Sequence, residues 1–145
     1  MSSHTPRSSA EWQPFNEAVI HEFRTNDGRV ERFGALRLMV LHTIGARSGK
    51  VREVPLFVVE HASGLLVYGT AEGAAHDPGW VHNLRAHPTI TVEFDGETVQ
   101  ATFDELPPAE AQGIISAHAA TTPPLALYVE SASPRRIPVF RIRLS

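Results

Sequence analysis

The sequence predicts an α+β domain: a mostly antiparallel barrel of about six strands, with an N-terminal helix and two further helices packed outside. Three observations predict it. Strand-like apolar runs recur from residue 36 to the end of the chain. They are joined by turns at 45–50, 61–64 and 95–96, too short for a parallel crossover. Each run has one apolar face, and closing the sheet on itself buries all those faces together.

The elements follow in order. Residues 1–10 are rich in Ser and Thr and read as a disordered tail; 11–145 read as one domain, with no internal repeat or linker. Ser8 or Ser9 can cap a helix in which Trp12, Phe15, Val19, Ile20 and Phe23 recur at helical spacing. Asn26-Asp27-Gly28 stops it. Its apolar face packs on the domain; the alternative is a surface that meets a membrane or a partner. Strands at 36–43 and 51–60 flank a basic turn, and 65–70 follows His61-Ala62-Ser63-Gly64. A helix over 78–86 takes Asp77 as its cap and Pro78 in its first turn. Strands 89–94 and 97–106 surround Asp95-Gly96, a strong hairpin signal. A helix over 108–119 opens near Pro108 and turns Ile114 and Ile115 inward; a strand over 137–144 completes the set.

Composition narrows the chemistry. With 42% apolar and 20% charged residues in 145, the chain can bury a core, and a net charge of −3 argues against a nucleic-acid-binding surface. The absence of cysteine excludes disulfides, thiolate metal sites and Cys nucleophiles. No apolar run reaches membrane-span length and the first ten residues lack a signal-peptide core, so the expected location is cytoplasmic. The eight histidines show no HxH or HExxH spacing, and no metal is expected. There is no GxSxG elbow and no evident carboxylate pair.

Three segments remain. The first is His42-Thr43-Ile44-Gly45-Ala46-Arg47-Ser48-Gly49-Lys50-Val51-Arg52. Three cations, a hydroxyl and open backbone N–H groups on one turn make an anion seat; the same residues read equally as a solvated hairpin tip. It is not a Walker loop, since three residues rather than four separate Gly45 from Gly49 and Val51 follows Lys50. The second is 68–75, whose small residues Gly69, Thr70, Ala71, Gly73, Ala74 and Ala75 let backbone approach a flat ligand. The third is 78–88, where Trp80 offers a broad face and Asn83 an amide; Trp80 and Leu84, four apart, read equally as core.

These blocks resemble the deazaflavin-dependent nitroreductase family of split-β-barrel oxidoreductases. The resemblance rests on the G-x-R-S-G-K-x-R turn with its following V-P-L, the small-residue segment, and P-x-W-x-x-N-L-x-A-x-P, over roughly residues 15–143. It implies an 8-hydroxy-5-deazaflavin coenzyme (coenzyme F-420), with FMN the runner-up. It implies Ala46, Arg47, Ser48 and Arg52 at the phosphate and acidic tail, and Val54, Pro55, Leu56 and Phe57 along the ring. Gly69, Thr70 and Ala71 would supply backbone and hydroxyl contacts, and Trp80, Val81 and Asn83 would close the pocket. Tyr128 falls where the family has substrate-facing tyrosines and is preferred over Tyr68 as a donor; it reads equally as a surface tyrosine. The preceding Thr121-Thr122-Pro123-Pro124 reads as a loop and part of a lid. The implied reaction is hydride transfer to a small electron-poor acceptor: an enone, quinone or nitroaromatic. The rivals are a non-catalytic ligand binder and an FMN enzyme of the same fold. Ile44, Ala46, Ala71 and Glu72 depart from the family pattern, and a Glu72 carboxylate turned inward would repel an anionic tail.

Overall fold

The protein is described here over residues 4–145 by a computed structural model. The described residues form seven strands: β1 (Leu38–Ile44), β2 (Val51–Phe57), β3 (Val59–His61), β4 (Gly64–Tyr68), β5 (Thr89–Phe94), β6 (Glu97–Glu105) and β7 (Val139–Leu144). Four helices accompany them: α1 (Ser9–Thr25), α2 (Gly79–Ala86), α3 (Pro108–Ala119) and α4 (Pro123–Ala132). All strands join one antiparallel sheet in the order β2-β1-β5-β6-β7-β4-β3.

The two edge strands are neighbours in sequence. A single residue, Val58, separates Phe57 from Val59. The chain therefore steps from one edge of the sheet to the other, and the sheet must curl until those edges converge. The result is a half-barrel. Val58 pins the step: its N–H donates to the Arg37 carbonyl at 2.9 Å, and its side chain is only 8% exposed in the core. The strand expected over 51–60 is thus two strands, which raises the expected count of about six to seven.

Alternation along each strand sorts side chains into two faces. Met39, Leu41, Val67, Ile90, Val92, Ala101, Phe103, Phe140 and Ile142 fill the concave side, where α2 inserts Trp80, Val81 and Leu84. On the convex side, Leu38 and Val40 receive Val19, Ile20 and Phe23 from α1. Leu66 and Val139 receive Ala111 and Ile115 from α3.

Local chemistry explains most boundaries. Ser8 and Glu11 form a reciprocal capping box at the start of α1. Gly28, at φ +86°, closes its other end by donating to the Phe23 carbonyl at 2.8 Å. Helix α1 begins at Ser9, inside the segment read as a tail; residues 1–3 of that segment lie outside the described residues.

Two readings are corrected. Asp77 does not cap α2: Pro78 holds the cap position without a side-chain bond, and Asp77 instead accepts from the Arg135 guanidinium at 2.8 Å. The segment read as loop and lid opens helix α4, with Thr122 at its cap and proline in its first turn. Proline's missing N–H costs nothing there, because those first N–H groups have no helical partner.

Candidate functional site

The basic turn is tied down at its base and open at its tip. Gly45 N–H donates to the Lys50 carbonyl at 2.8 Å, and Gly49 N–H to the Gly45 carbonyl at 2.9 Å. Ser48 Oγ accepts from Lys50 N–H at 3.2 Å, and a Cβ on Gly45 would lie 2.4 Å from that oxygen. Residues 46–50 are exposed. Arg47, Lys50 and Arg52 have no carboxylate partner among the described residues. By contrast Arg7, Arg24, Arg37, Arg85, Arg135, Arg141 and Arg143 are each paired. Three unneutralised cations on one turn of a chain of net charge −3 suit an anionic ligand.

Helix α2 brings the segments together. Asn83 Oδ1 accepts from Ala46 N–H at 3.0 Å, and its Nδ2 donates to Thr43 Oγ1 at 3.4 Å. Thr43 Oγ1 in turn donates to the Arg52 carbonyl at 2.8 Å. The Asn83 amide is thus spent on holding the turn. Two residues earlier, Val81 packs against the small-residue segment: a Cβ on Gly69 would lie 3.0 Å from Val81 Cγ2 and 2.8 Å from Pro138 Cγ. Only glycine allows that approach.

Strand β2 extends the site along the concave face. Arg52, Val54 and Leu56 lie opposite Thr43, Leu41 and Met39, so they share the face of the main core. They form a row from a free cation to partly buried apolar side chains. Pro55 and Phe57 lie on the other face. Phe57 packs edge-on to Phe33 with centroids 4.8 Å apart. Of the four expected ring-lining residues, the pleat therefore groups two with Arg52 and turns two away. Trp80 is 9% exposed and packs on Phe140 at 6.0 Å, so its core role is met.

The loop after β4 is strained. Thr70 is right-handed, and Ala71, Glu72 and Gly73 follow at φ +45°, +55° and +84°. Two of its N–H groups close the loop on itself, Gly73 donating to the Thr70 carbonyl at 2.8 Å and Ala74 to the Ala71 carbonyl at 3.0 Å. The two non-glycine residues cost roughly 1–2 kcal/mol each in this conformation. Arg135, which belongs to none of the motifs read above, holds the loop. Its Nε donates to the Ala74 carbonyl, Nη1 to the Gly69 carbonyl and Asp77, and Nη2 to the Thr70 carbonyl, all at 2.8–2.9 Å. Ser131 Oγ adds a bond to the Gly73 carbonyl at 3.0 Å.

Glu72 does not carry a free charge into the site. Its carboxylate accepts from Arg7 N–H at 3.0 Å and from the Arg7 guanidinium at 2.5 Å, and His4 bonds its carbonyl. Tyr128 of α4 sits beside this contact, its ring 5.5 Å from that of His4. Burial, and then the Glu72 carboxylate, push the Tyr128 phenol above its ordinary value, so it remains protonated at neutral pH. Tyr68 is also pushed up by burial, but its hydroxyl bonds His118 Nδ1 at 2.9 Å, on the α3 side of the sheet.

On the convex face, His42, Glu53 and Glu93 could offer three ligand atoms within 4.8 Å of one another. The Arg24 guanidinium already lies 2.6 Å from both carboxylates and supplies the positive charge there. Two surface hollows of about 310 and 210 Å³ flank Arg85 and Glu105; their linings share no residue with the turn or β2. The candidate site is an open face rather than either hollow.

A curled antiparallel half-barrel, plugged on its concave side by one short helix, defines a split-β-barrel protein. The chain belongs to the F420H(2)-dependent quinone reductase family, which it matches over residues 16–143. A curated relative of the same name from Mycobacterium tuberculosis is 27% identical over 88 residues, 59% of this chain and 59% of that protein. The match therefore spans less than two thirds of the relative's length. Among solved structures, the reductase FDR-A is 31% identical, with a TM-score of 0.60, over 73% of this chain and 93% of that one. A chain solved as a domain-swapped dimer is 27% identical, with a TM-score of 0.61, over 90% of this chain and all of that one. HutZ, a heme storage protein from Vibrio cholerae, shares the fold at 15% identity and a TM-score of 0.52, covering 92% of this chain and 90% of its own.

Proposed function

We propose that this protein is a reductase that binds reduced coenzyme F-420 and delivers hydride to an electron-poor conjugated acceptor, with a quinone the first candidate. The observation that carries the reading is the row on β2 from Arg52 to Val54 and Leu56, with Arg47 on the turn that leads into it. Unpaired cations stand at one end and partly buried apolar side chains at the other. That order suits a coenzyme with an anionic phosphodiester and glutamyl tail on a flat ring. Family membership and the name of FDR-A support it.

When bound, the deazaflavin supplies hydride from a ring carbon in a two-electron step. The chain's own work is to hold, orient and dry. Arg47, Lys50 and Arg52 hold the anionic tail; Ser48 and Ala46 shape the turn that carries them. Val54 and Leu56 exclude water from one side of the ring. Gly69, Thr70 and Ala71 offer backbone beside it. Val81 and Asn83 act from beneath, by packing the loop and tethering the turn. Tyr128, protonated at neutral pH, donates toward the acceptor oxygen as negative charge develops there.

Titrating the purified protein with coenzyme F-420 and, separately, FMN tests the cofactor. The expected result is tighter binding of the deazaflavin; FMN binding tenfold tighter overturns it. Stopped-flow mixing of the reduced complex with a benzoquinone, an enone and a nitroaromatic then separates enzyme from carrier. Coenzyme reoxidation accelerated by the protein is expected with at least the quinone, whereas no acceleration with any acceptor supports the binder.

A further inference from the structure

Arg135 makes an unusual set of contacts for an arginine that is only 10% exposed. One carboxylate, Asp77, satisfies its charge. The rest of the guanidinium reaches three main-chain carbonyls, those of Gly69, Thr70 and Ala74. These acceptors bracket Ala71, Glu72 and Gly73, the residues with left-handed backbone. Ordinary packing needs no such device, since an apolar side chain would fill the space without burying a charge. A planar fork can bind carbonyls in several directions at once, which a lysine ammonium on a flexible stem cannot reproduce. Holding the carbonyls of 69, 70 and 74 on one guanidinium fixes the path of the loop between them. At the start of that loop Gly69 packs on Val81 of α2, whose Asn83 tethers the basic turn.

We propose that Arg135 is a positioning residue for the coenzyme site: it holds the 69–74 loop in its strained, binding-competent shape without touching the ligand. The proposal rests on the coenzyme reading above. Arg135→Lys keeps a positive charge near Asp77 but loses the three-carbonyl fork; Asp77→Asn keeps the fork.

Both variants, checked as folded by thermal melting, are titrated with coenzyme F-420, and amide hydrogen exchange is followed over residues 70–75. For Arg135→Lys the expected result is at least tenfold weaker binding, with faster exchange at 70–75 and unchanged protection in β5 and β6. Asp77→Asn is expected to bind within about threefold of the parent. A merely structural role would lower the melting temperature and leave the affinity of folded protein alone. Parental affinity in folded Arg135→Lys overturns the proposal, as does an equal loss in Asp77→Asn. The parent protein supplies a measurement that needs no variant. Added coenzyme is expected to slow exchange at 70–75, and unchanged exchange there overturns the proposal even should Arg135→Lys fail to fold. Absence of coenzyme binding by the parent overturns the cofactor reading and this proposal together; binding by the parent with an unaffected variant overturns this one alone.

Discussion

Replacing Arg47 and Arg52 with Ala is the sharpest test of where an anionic ligand binds. Both residues are exposed and neither has a carboxylate partner among the described residues, so folding loses no ion pair. A hydrogen bond to a charged group contributes about 1.5–3 kcal/mol, and exposure places these at the lower end. At ~1.5 kcal/mol each single variant should bind coenzyme F-420 roughly tenfold more weakly. The double variant should lose roughly a hundredfold if the two contacts are independent.

Net charge alone could weaken an anion's binding, so a matched control is needed. Arg29 and Arg32 are also exposed and unpaired with carboxylates among the described residues, but lie after α1. Arg29→Ala with Arg32→Ala makes the same change in net charge away from the turn, and long-range effects fade beyond a Debye length of about 10 Å at 0.1 M salt. Fluorescence titration at low salt and again near 1 M should show a loss confined to the turn variant and shrinking with salt. Melting temperatures should match. Unchanged affinity in the Arg47, Arg52 double variant at low salt refutes the anion seat, and an equal loss in the control refutes its location.

Gly69→Ala should destabilise the fold by about 1–3 kcal/mol, because its Cβ would lie 2.8 Å from Pro138 Cγ and 3.0 Å from Val81 Cγ2 in packed surroundings. Urea denaturation reads this directly, and an unchanged midpoint would show that the loop relaxes freely. Glu93 gives a pH prediction. The Arg24 guanidinium, and then His42, hold its carboxyl below the ordinary value, with burial opposing. A depressed folded-state value means its contribution is complete above the unfolded value of about 4.3 and is lost as pH falls through the folded value. Glu93→Gln should therefore flatten the acid limb of a stability-against-pH curve below about pH 4.3; an unchanged limb counts against the contact.

Much of the fold was legible because its determinants are local. The serine cap of α1, the glycine after it, and the Asp95-Gly96 hairpin joining β5 and β6 each act within a few residues. The misses share a cause. The bond from Val58 N–H to Arg37 still continues the β1–β2 ladder, and the 51–60 run breaks only at Val59, which takes Leu66 of β4 as its partner on the opposite edge of the sheet. Pro123 and Pro124 read as a loop because the apolar face that rewards a helix there belongs to distant elements. Leu125 is buried, and Gly73 lies so close to α4 that an added Cβ would meet Ser131 and the Tyr128 carbonyl. Asp77 reads as a cap until Arg135 claims it from the far end of the chain.

The candidate site divides along the same line. Residues that would touch a ligand lie on contiguous motifs, so the turn, the small-residue loop and α2 could be named from sequence. The residues that aim those motifs act over long separations and carry no local pattern. Asn83 reaches the turn from 37 positions away, and Arg135 reaches the loop from 61 to 66. Glu72 makes the point in reverse. Judged alone it is a carboxylate in the wrong place for an anionic tail. Arg7, 65 positions earlier, neutralises it and turns an apparent objection into an anchor for the N-terminal segment. A motif can therefore state which segments meet a ligand, but whether a departure within it weakens the site depends on partners that only the folded chain supplies.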